Sequence, residues 1–115
     1  MHAFDILGDP VRRRILELLA DGEVSAGEIV TAIGTEFGIS QPAVSRQLRV
    51  LREAGFATVR PEGTRRWYTV RPEGFDEVER WLARNRHHWQ HALDALDALE
   101  TEIARGKSRK SPTKE

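Results

Sequence analysis

Residues 39–55, which read ISQPAVSRQLRVLREAG, decide the fold of this chain. Ser40 is suited to cap a helix, Pro42 falls within its first turn, and Gly55 fits the position just past a helix C-terminus. Apolar side chains recur at the spacing of a single helix face, at Val44, Leu48 and Leu51. The pattern predicts an amphipathic helix from about Gln41 to Ala54 with its apolar side buried.

The opposite side of this helix carries hydrogen-bond donors that match the edges of DNA bases. Arg46 and Arg49 can each donate two hydrogen bonds to guanine, and Gln41 can pair in a similar way with adenine. Ser45 can bond to a base edge or to a phosphate. An arginine-rich face is also common on ordinary solvated helices, so the flanking sequence has to separate the two interpretations.

The sequence before this helix predicts two further helices. Asp9 and Pro10 mark a helix start, because the aspartate caps free amides and proline at the first position sacrifices no hydrogen bond. Ser25 and Glu28 fit a capping box at the start of the second helix. Two glycines within residues 34–39 then predict a turn before the third helix.

The sequence after the third helix predicts a β-hairpin. Residues 57–60 and 65–70 are β-prone and are separated by Pro61-Glu62-Gly63-Thr64. Arg60 and Arg65 are expected near its tip, where an arginine can contact the DNA backbone or enter the minor groove. Three helices followed by a hairpin predict a winged helix-turn-helix, which is mainly α with a small β-hairpin wing.

Two segments resemble the ArsR-type family of bacterial winged-helix repressors. Residues 7–19 read LGDPVRRRILELL, and the second segment is residues 39–55. The resemblance covers residues 4–70 and implies a homodimeric regulator, most often a repressor, that binds an operator in double-stranded DNA. The link over residues 34–38 is longer than is usual in the family, so we expect a short insertion there. The predicted DNA-binding residues are Ser40, Gln41, Pro42, Ser45, Arg46, Gln47, Arg49, Arg65 and Arg66.

A long helix is predicted at the C-terminal end, since neither proline nor glycine interrupts residues 76–105. Its apolar residues repeat every seven positions, as in a helix that packs along another helix. Such a helix spans about 45 Å, more than one small domain covers, so we expect a homodimer through the terminal helices and a palindromic operator. The alternative is a monomer whose last helix folds wholly onto its own core. The predicted interface residues are Phe4, Leu7, Phe75, Val78, Leu82, Trp89, Leu93 and Leu96.

The predicted organisation has three parts. Residues 1–73 form the DNA-binding domain, and residues 74–105 form the dimerisation helix of that same domain. Residues 106–115 are a basic tail with serine and proline, which we expect to be disordered.

The composition argues against several classes of protein. The chain has 115 residues with 18 Lys and Arg against 18 Asp and Glu, but the arginines concentrate before residue 67 while acids crowd the far end. No cysteine is available for disulfides or thiolate ligands. We expect no membrane segment, a cytoplasmic location and no enzyme activity or cofactor, because no apolar span, secretory signal or catalytic motif is found.

The sequence names no effector. His87 and His91 are weak candidates for a metal site in a metal-responsive repressor, because they stand one helical turn apart with Asp94 nearby. The family's cysteine motif would fall near residues 24–29, which contain none, so surface or interface histidines are the favoured interpretation and no metal is expected.

The tryptophans and the fold itself each leave a further interpretation open. Three tryptophans could line an apolar effector pocket, although aromatic residues at such spacing are more often core or interface; they are Trp67, Trp81 and Trp89. The whole chain could also be a protein-interaction module whose winged helix no longer binds DNA.

Overall fold

The structure is a computed structural model that describes residues 2–113, with side chains as far as Gly106. The chain divides into two compact units, Met1–Glu79 and Arg80–Glu115. No helix within residues 2–113 is both long and apolar enough to cross a membrane.

Four of the five α-helices in the described residues begin where the sequence predicts, and a further short helix precedes them. In chain order the five are α1 (Ala3–Leu7), α2 (Pro10–Leu18), α3 (Ala26–Phe37), α4 (Gln41–Glu53) and α5 (Asp76–Thr113), with a short 3-10 turn over Pro72–Phe75. Three of them have a side-chain oxygen that caps a backbone N–H at the start: Asp9 for Val11 at 2.7 Å, Ser25 for Glu28 at 3.3 Å, and Ser40 for Ala43 at 3.3 Å. These caps are the local reason that α2, α3 and α4 start at these positions.

The sheet has one more strand than the predicted hairpin. Strands β1 (Val24–Ser25), β2 (Ala57–Glu62) and β3 (Arg65–Val70) form an antiparallel sheet in the order β1-β3-β2. The predicted four-residue turn was wrong, because β2 continues through Glu62 and only Gly63 and Thr64 connect the strands. Gly63 has φ +61°, which glycine adopts without strain in such a tight turn.

The predicted turn over residues 34–39 was also wrong, because α3 continues to Phe37 and ends at Gly38 in the left-handed conformation. Residues 34–37 therefore belong to a helix instead of a loop. Two contacts hold this last turn of α3: the Glu36 carboxylate lies 3.0 Å from Arg14 on α2, and Phe37 packs against the core. A single glycine at position 34 costs helix stability without ending the helix.

The core of the first unit confirms the apolar stripe of α4, since Val44, Leu48 and Leu51 are buried. Phe56 is buried at the end of the stripe and meets Phe75 edge to face, with ring centroids 5.0 Å apart. The other buried apolar residues of this core are Ala3, Ile6, Ile15, Leu16, Leu19, Ile29, Ile33, Ala57 and Tyr68.

The last helix extends past the end that the sequence predicts. Its backbone is helical to Thr113, whereas the pattern placed the end at Arg105. The side chains of the basic tail lie outside the described residues, so its predicted disorder stays a prediction.

Candidate nucleic-acid interface

The exposed side of α4 presents most of the predicted DNA-binding residues together. Capping places Ser40 at the start of the helix, and the burial of its apolar stripe forces the polar positions outward. The residues exposed on this side are Ser40, Gln41, Pro42, Ser45, Arg46 and Arg49. The helix therefore offers amide, hydroxyl and guanidinium groups on one accessible face.

Gln47 is placed differently from the rest of the set. Its side chain is half-buried, and its Oε1 accepts a hydrogen bond from Arg12 Nη1 at 2.9 Å. Its Nε2 donates to Asp9 Oδ2 at 3.4 Å. The prediction that Gln47 contacts DNA stays a prediction, and in this structure its amide is engaged within the protein. A signal for its partial burial was available, since Gln47 stands three positions after Val44 and four before Leu51, both of which are buried.

The two wing arginines lie on opposite faces of the sheet. Side chains alternate along a strand, so Arg66 shares its face with the buried Tyr68, while Arg65 shares the other face with Trp67. The Arg65 guanidinium carbon lies 5.8 Å from the Trp67 ring centroid, a cation-π arrangement. Arg65 pairs in register with Glu62 at the end of β2, next to the turn. Both arginines are exposed.

Arg60 is not at the wing tip, contrary to the prediction. It lies opposite Trp67 in the register and makes hydrogen-bonded ion pairs with Glu23 at 3.0 Å and with Glu62 at 2.9 Å. The bond to Glu23 raises the pKa of Arg60 above its usual value, and the same bond lowers the pKa of Glu23. Two carboxylates thus neutralise this arginine, and the bond to Glu23 attaches the wing to the segment before β1.

Arginines of the first unit divide into paired and unpaired groups. Arg12 pairs with Asp9 at 3.4 Å, and Arg14 pairs with Glu36 at 3.0 Å. Within the described part of the chain, four arginines of the predicted interface have no carboxylate within 4.0 Å: Arg46, Arg49, Arg65 and Arg66. The exposed side of α4 and the end of β3 therefore each present two arginines that no carboxylate of the described residues neutralises.

The predicted dimer residues also fall into two groups. Leu7, Phe75 and Val78 are partly buried and pack against the core of their own chain. The others are exposed by 38–56%: Phe4, Leu82, Trp89, Leu93 and Leu96. Ile103, which belongs to the predicted seven-residue repeat but not to the predicted interface set, is 53% exposed.

The histidines proposed as weak metal ligands lie on α5. The His87 and His91 rings lie 5.2 Å apart on α5, and among the described residues no three His, Cys, Asp or Glu side chains are grouped to hold a metal ion. Trp81 and Trp89 meet edge to face at 5.1 Å within the second unit, whereas Trp67 belongs to the wing.

The helix pair α3 and α4 followed by the β2–β3 wing defines a winged helix-turn-helix DNA-binding protein. A family model described as "Helix-turn-helix domain" matches residues 7–60. The HTH-type transcriptional regulator Rv2034 of Mycobacterium tuberculosis is 38% identical over 98 residues, which are 85% of this chain and 85% of the relative. The transcriptional repressor SdpR of Bacillus subtilis is 30% identical over 81 residues, 70% of this chain and 86% of the relative.

Solved structures agree with these relatives. The crystal structure of the ArsR family transcriptional regulator RHA00566 has a TM-score of 0.65 at 27% identity, covering 76% of this chain and 87% of that one. The solution structure of the homodimeric winged helix-turn-helix DNA-binding domain Mb0332 from Mycobacterium bovis has a TM-score of 0.53 at 30% identity. The match covers 76% of this chain and 75% of that one. This chain belongs to the ArsR family of winged helix-turn-helix transcriptional regulators.

Proposed function

We propose that the chain is a homodimeric repressor that binds a palindromic operator and blocks a promoter by occupying it. The observation that supports this most directly is the distribution of unpaired charge. Arg12, Arg14 and Arg60 pair with carboxylates, and Arg13 donates to a backbone carbonyl oxygen. Among the described residues no carboxylate lies within 4.0 Å of Arg46 and Arg49 on α4 or of Arg65 and Arg66 on β3, so these four guanidinium groups are available to phosphates and bases.

In this proposal α4 reads bases in the major groove. Arg46 and Arg49 recognise guanine, and Gln41 recognises adenine, through paired hydrogen bonds. Ser40, Pro42 and Ser45 lie in the first turns of α4, where they approach the DNA backbone and neighbouring base edges.

The wing supplies sequence-independent affinity. Arg65 and Arg66 follow directly after the two-residue turn, so both are near the end of the hairpin. Their exposure suits contacts to phosphates or to the adjacent minor groove.

The proposed dimer uses the exposed stripe of α5. Leu82, Trp89, Leu93, Leu96 and Ile103 lie within one sector of the helix, which extends over about 32 Å from first to last. A stripe of this length is suited to a second helix of the same kind, and Phe4 is proposed as a further contact. The Mb0332 domain is described as homodimeric, which favours the same assembly here.

The proposal that the chain is a repressor, and not an activator, is supported by the names of its relatives. SdpR and the arsenical resistance operon repressor of Staphylococcus aureus both carry this activity in their names. The proposed role is binding without catalysis, in the cytoplasm, where DNA is accessible.

The test begins with selection of bound sites from random duplexes, followed by fluorescence anisotropy on the selected site at several salt concentrations. We expect a site with two-fold symmetry and an affinity that falls steeply with salt. Binding that depends on neither sequence nor salt contradicts the proposal. Sedimentation equilibrium at micromolar concentration tests the dimer, which a purely monomeric result excludes.

A further inference from the structure

Arg12 joins three separate elements of the first unit. Its Nε donates to the Ile6 carbonyl oxygen at 2.9 Å, and its Nη2 donates to the Asp5 carbonyl oxygen at 2.9 Å, so both bonds hold α1. Its Nη1 donates to Gln47 Oε1 at 2.9 Å on α4. A side chain that starts on α2 therefore bonds to the helix before it and to the recognition helix.

Asp9 closes the arrangement at the start of α2. Its Oδ2 lies 3.4 Å from Arg12 Nη1 and accepts from Gln47 Nε2 at 3.4 Å, while its Oδ1 caps Val11 at 2.7 Å. The amide of Gln47 thus donates to one residue and accepts from the other, and both partners lie at the start of α2.

This network is unlike the exposed ion pairs of the chain. The Arg12 side chain is only 13% exposed, whereas those of Arg14 and Arg60 are 38% and 50% exposed. A guanidinium group is planar and holds its donors in a fixed fork, so two bonds to α1 and one to α4 restrict where these two helices can lie. Shielding from solvent strengthens each bond relative to a surface contact.

We propose that Arg12, together with Asp9, is a positioning residue that sets the rotation of the recognition helix through Gln47. The proposal rests on the DNA-binding function above and assigns Gln47 to orientation instead of base contact. Arg46 precedes Gln47 and Arg49 follows two positions later, and successive side chains on a helix differ by about 100°. Anchoring Gln47 therefore fixes the directions in which both arginines point.

Three variants test the proposal. Arg12→Lys keeps the charge but removes the planar guanidinium group with its several donors. Gln47→Met keeps the length of the side chain but removes the amide. Arg13→Lys is the matched control, because Arg13 is a neighbour on α2 whose guanidinium bonds to the Leu7 carbonyl oxygen of α1 instead of to α4. Thermal unfolding of all three shows which of them keep the native fold.

We expect Arg12→Lys and Gln47→Met each to weaken binding to the selected operator about tenfold, the equivalent of about 1.4 kcal/mol. Their salt dependence and affinity for random duplex stay close to wild type, because no phosphate contact is removed. The double variant binds the operator no more weakly than the weaker-binding of the two single variants, because both changes break the same network. Arg13→Lys binds like wild type.

Two results overturn the proposal. One is a loss of preference at a single base pair in Gln47→Met, which makes Gln47 a base-reading residue. The other is a double variant whose loss of operator affinity equals the sum of the losses in the two single variants, which means that the two side chains act independently.

A measurement without DNA separates this proposal from the proposed function. Backbone amide NMR signals of α4 in the free protein should move in Arg12→Lys and stay in place in Arg13→Lys. If the α4 signals do not move, positioning through Arg12 is wrong even when the wild type binds its operator. If the α4 signals move but the wild type binds all DNA sequences alike, Arg12 does position α4 and the proposed repressor function is wrong.

Discussion

Gly74 packs against Gly55 so closely that a Cβ atom at position 74 would lie 2.7 Å from the Gly55 carbonyl oxygen. The same atom would lie 2.9 Å from the Cα of Phe56. Both neighbours are backbone and cannot move aside as a flexible side chain could. This contact brings the segment that leads into α5 against the end of the recognition helix.

Gly74→Ala should therefore destabilise the protein by about 1 to 3 kcal/mol, the usual cost of overpacking. Urea denaturation followed by circular dichroism measures the change. The matched control is Gly27→Ala, because a Cβ there meets nothing within 4 Å and alanine favours the helix. Equal stability of the two variants would show that the close contact is not as described.

Arg46→Ala should weaken operator binding by about 1 to 3 kcal/mol and relax the preference at one base pair, because it removes a base contact. Anisotropy on operators with single base-pair substitutions measures both effects. The control is Arg84→Ala, which removes an exposed arginine from α5. An equal loss on every duplex would assign Arg46 to phosphate instead.

Arg65→Ala should weaken binding to all sequences alike and reduce the slope of log affinity against log salt by about 1, because a phosphate contact releases a counterion. The measurement is a salt titration on operator and on random duplex. A selective loss on the operator alone argues against a backbone contact for the wing.

Leu93→Glu should dissociate the dimer, because it places a charge in the middle of the exposed stripe of α5. Sedimentation equilibrium then gives the mass of a single chain, and operator affinity falls with it. Ala98→Glu adds the same charge on the opposite side of the helix and should leave the dimer intact. Dissociation by both variants would place the interface elsewhere.

The bond between Arg60 and Glu23 predicts a pH effect. The bond lowers the pKa of Glu23 in the folded chain. Its contribution to the stability of the fold is therefore fully present above the pKa of an unfolded glutamate, about 4.3, and is lost as the pH falls through the lower pKa of the folded chain. Melting temperatures of wild type and Glu23→Gln should differ near neutral pH and converge in acid. A difference that grows on acidification has the wrong sign for this bond.

Local signals predicted much of the fold. The caps at Asp9, Ser25 and Ser40 and the stripe of α4 lie within a few residues of the structure that they determine, so they could be recognised directly. The exposed face of α4 followed from that stripe by helix geometry alone.

What the sequence could not predict depends on distant partners. Gln47 and Arg12 are separated by 35 positions, and Arg60 and Glu23 by 37, so no local pattern marked either bond. The two-residue strand β1 exists because it pairs with β3, and its own sequence is too short to indicate a strand. The last turn of α3, which follows the glycine at position 34, has tertiary contacts through Glu36 and Phe37 that no local pattern marks.

The balance of 18 basic and 18 acidic residues has a consequence for how such a repressor would search a chromosome. Attraction to arbitrary DNA scales with the phosphates that a protein neutralises, and here several arginines are occupied by carboxylates of the same chain. Residence at wrong sites is then brief, and less of the protein is sequestered along the genome. A small number of copies per cell would suffice to keep one operator occupied.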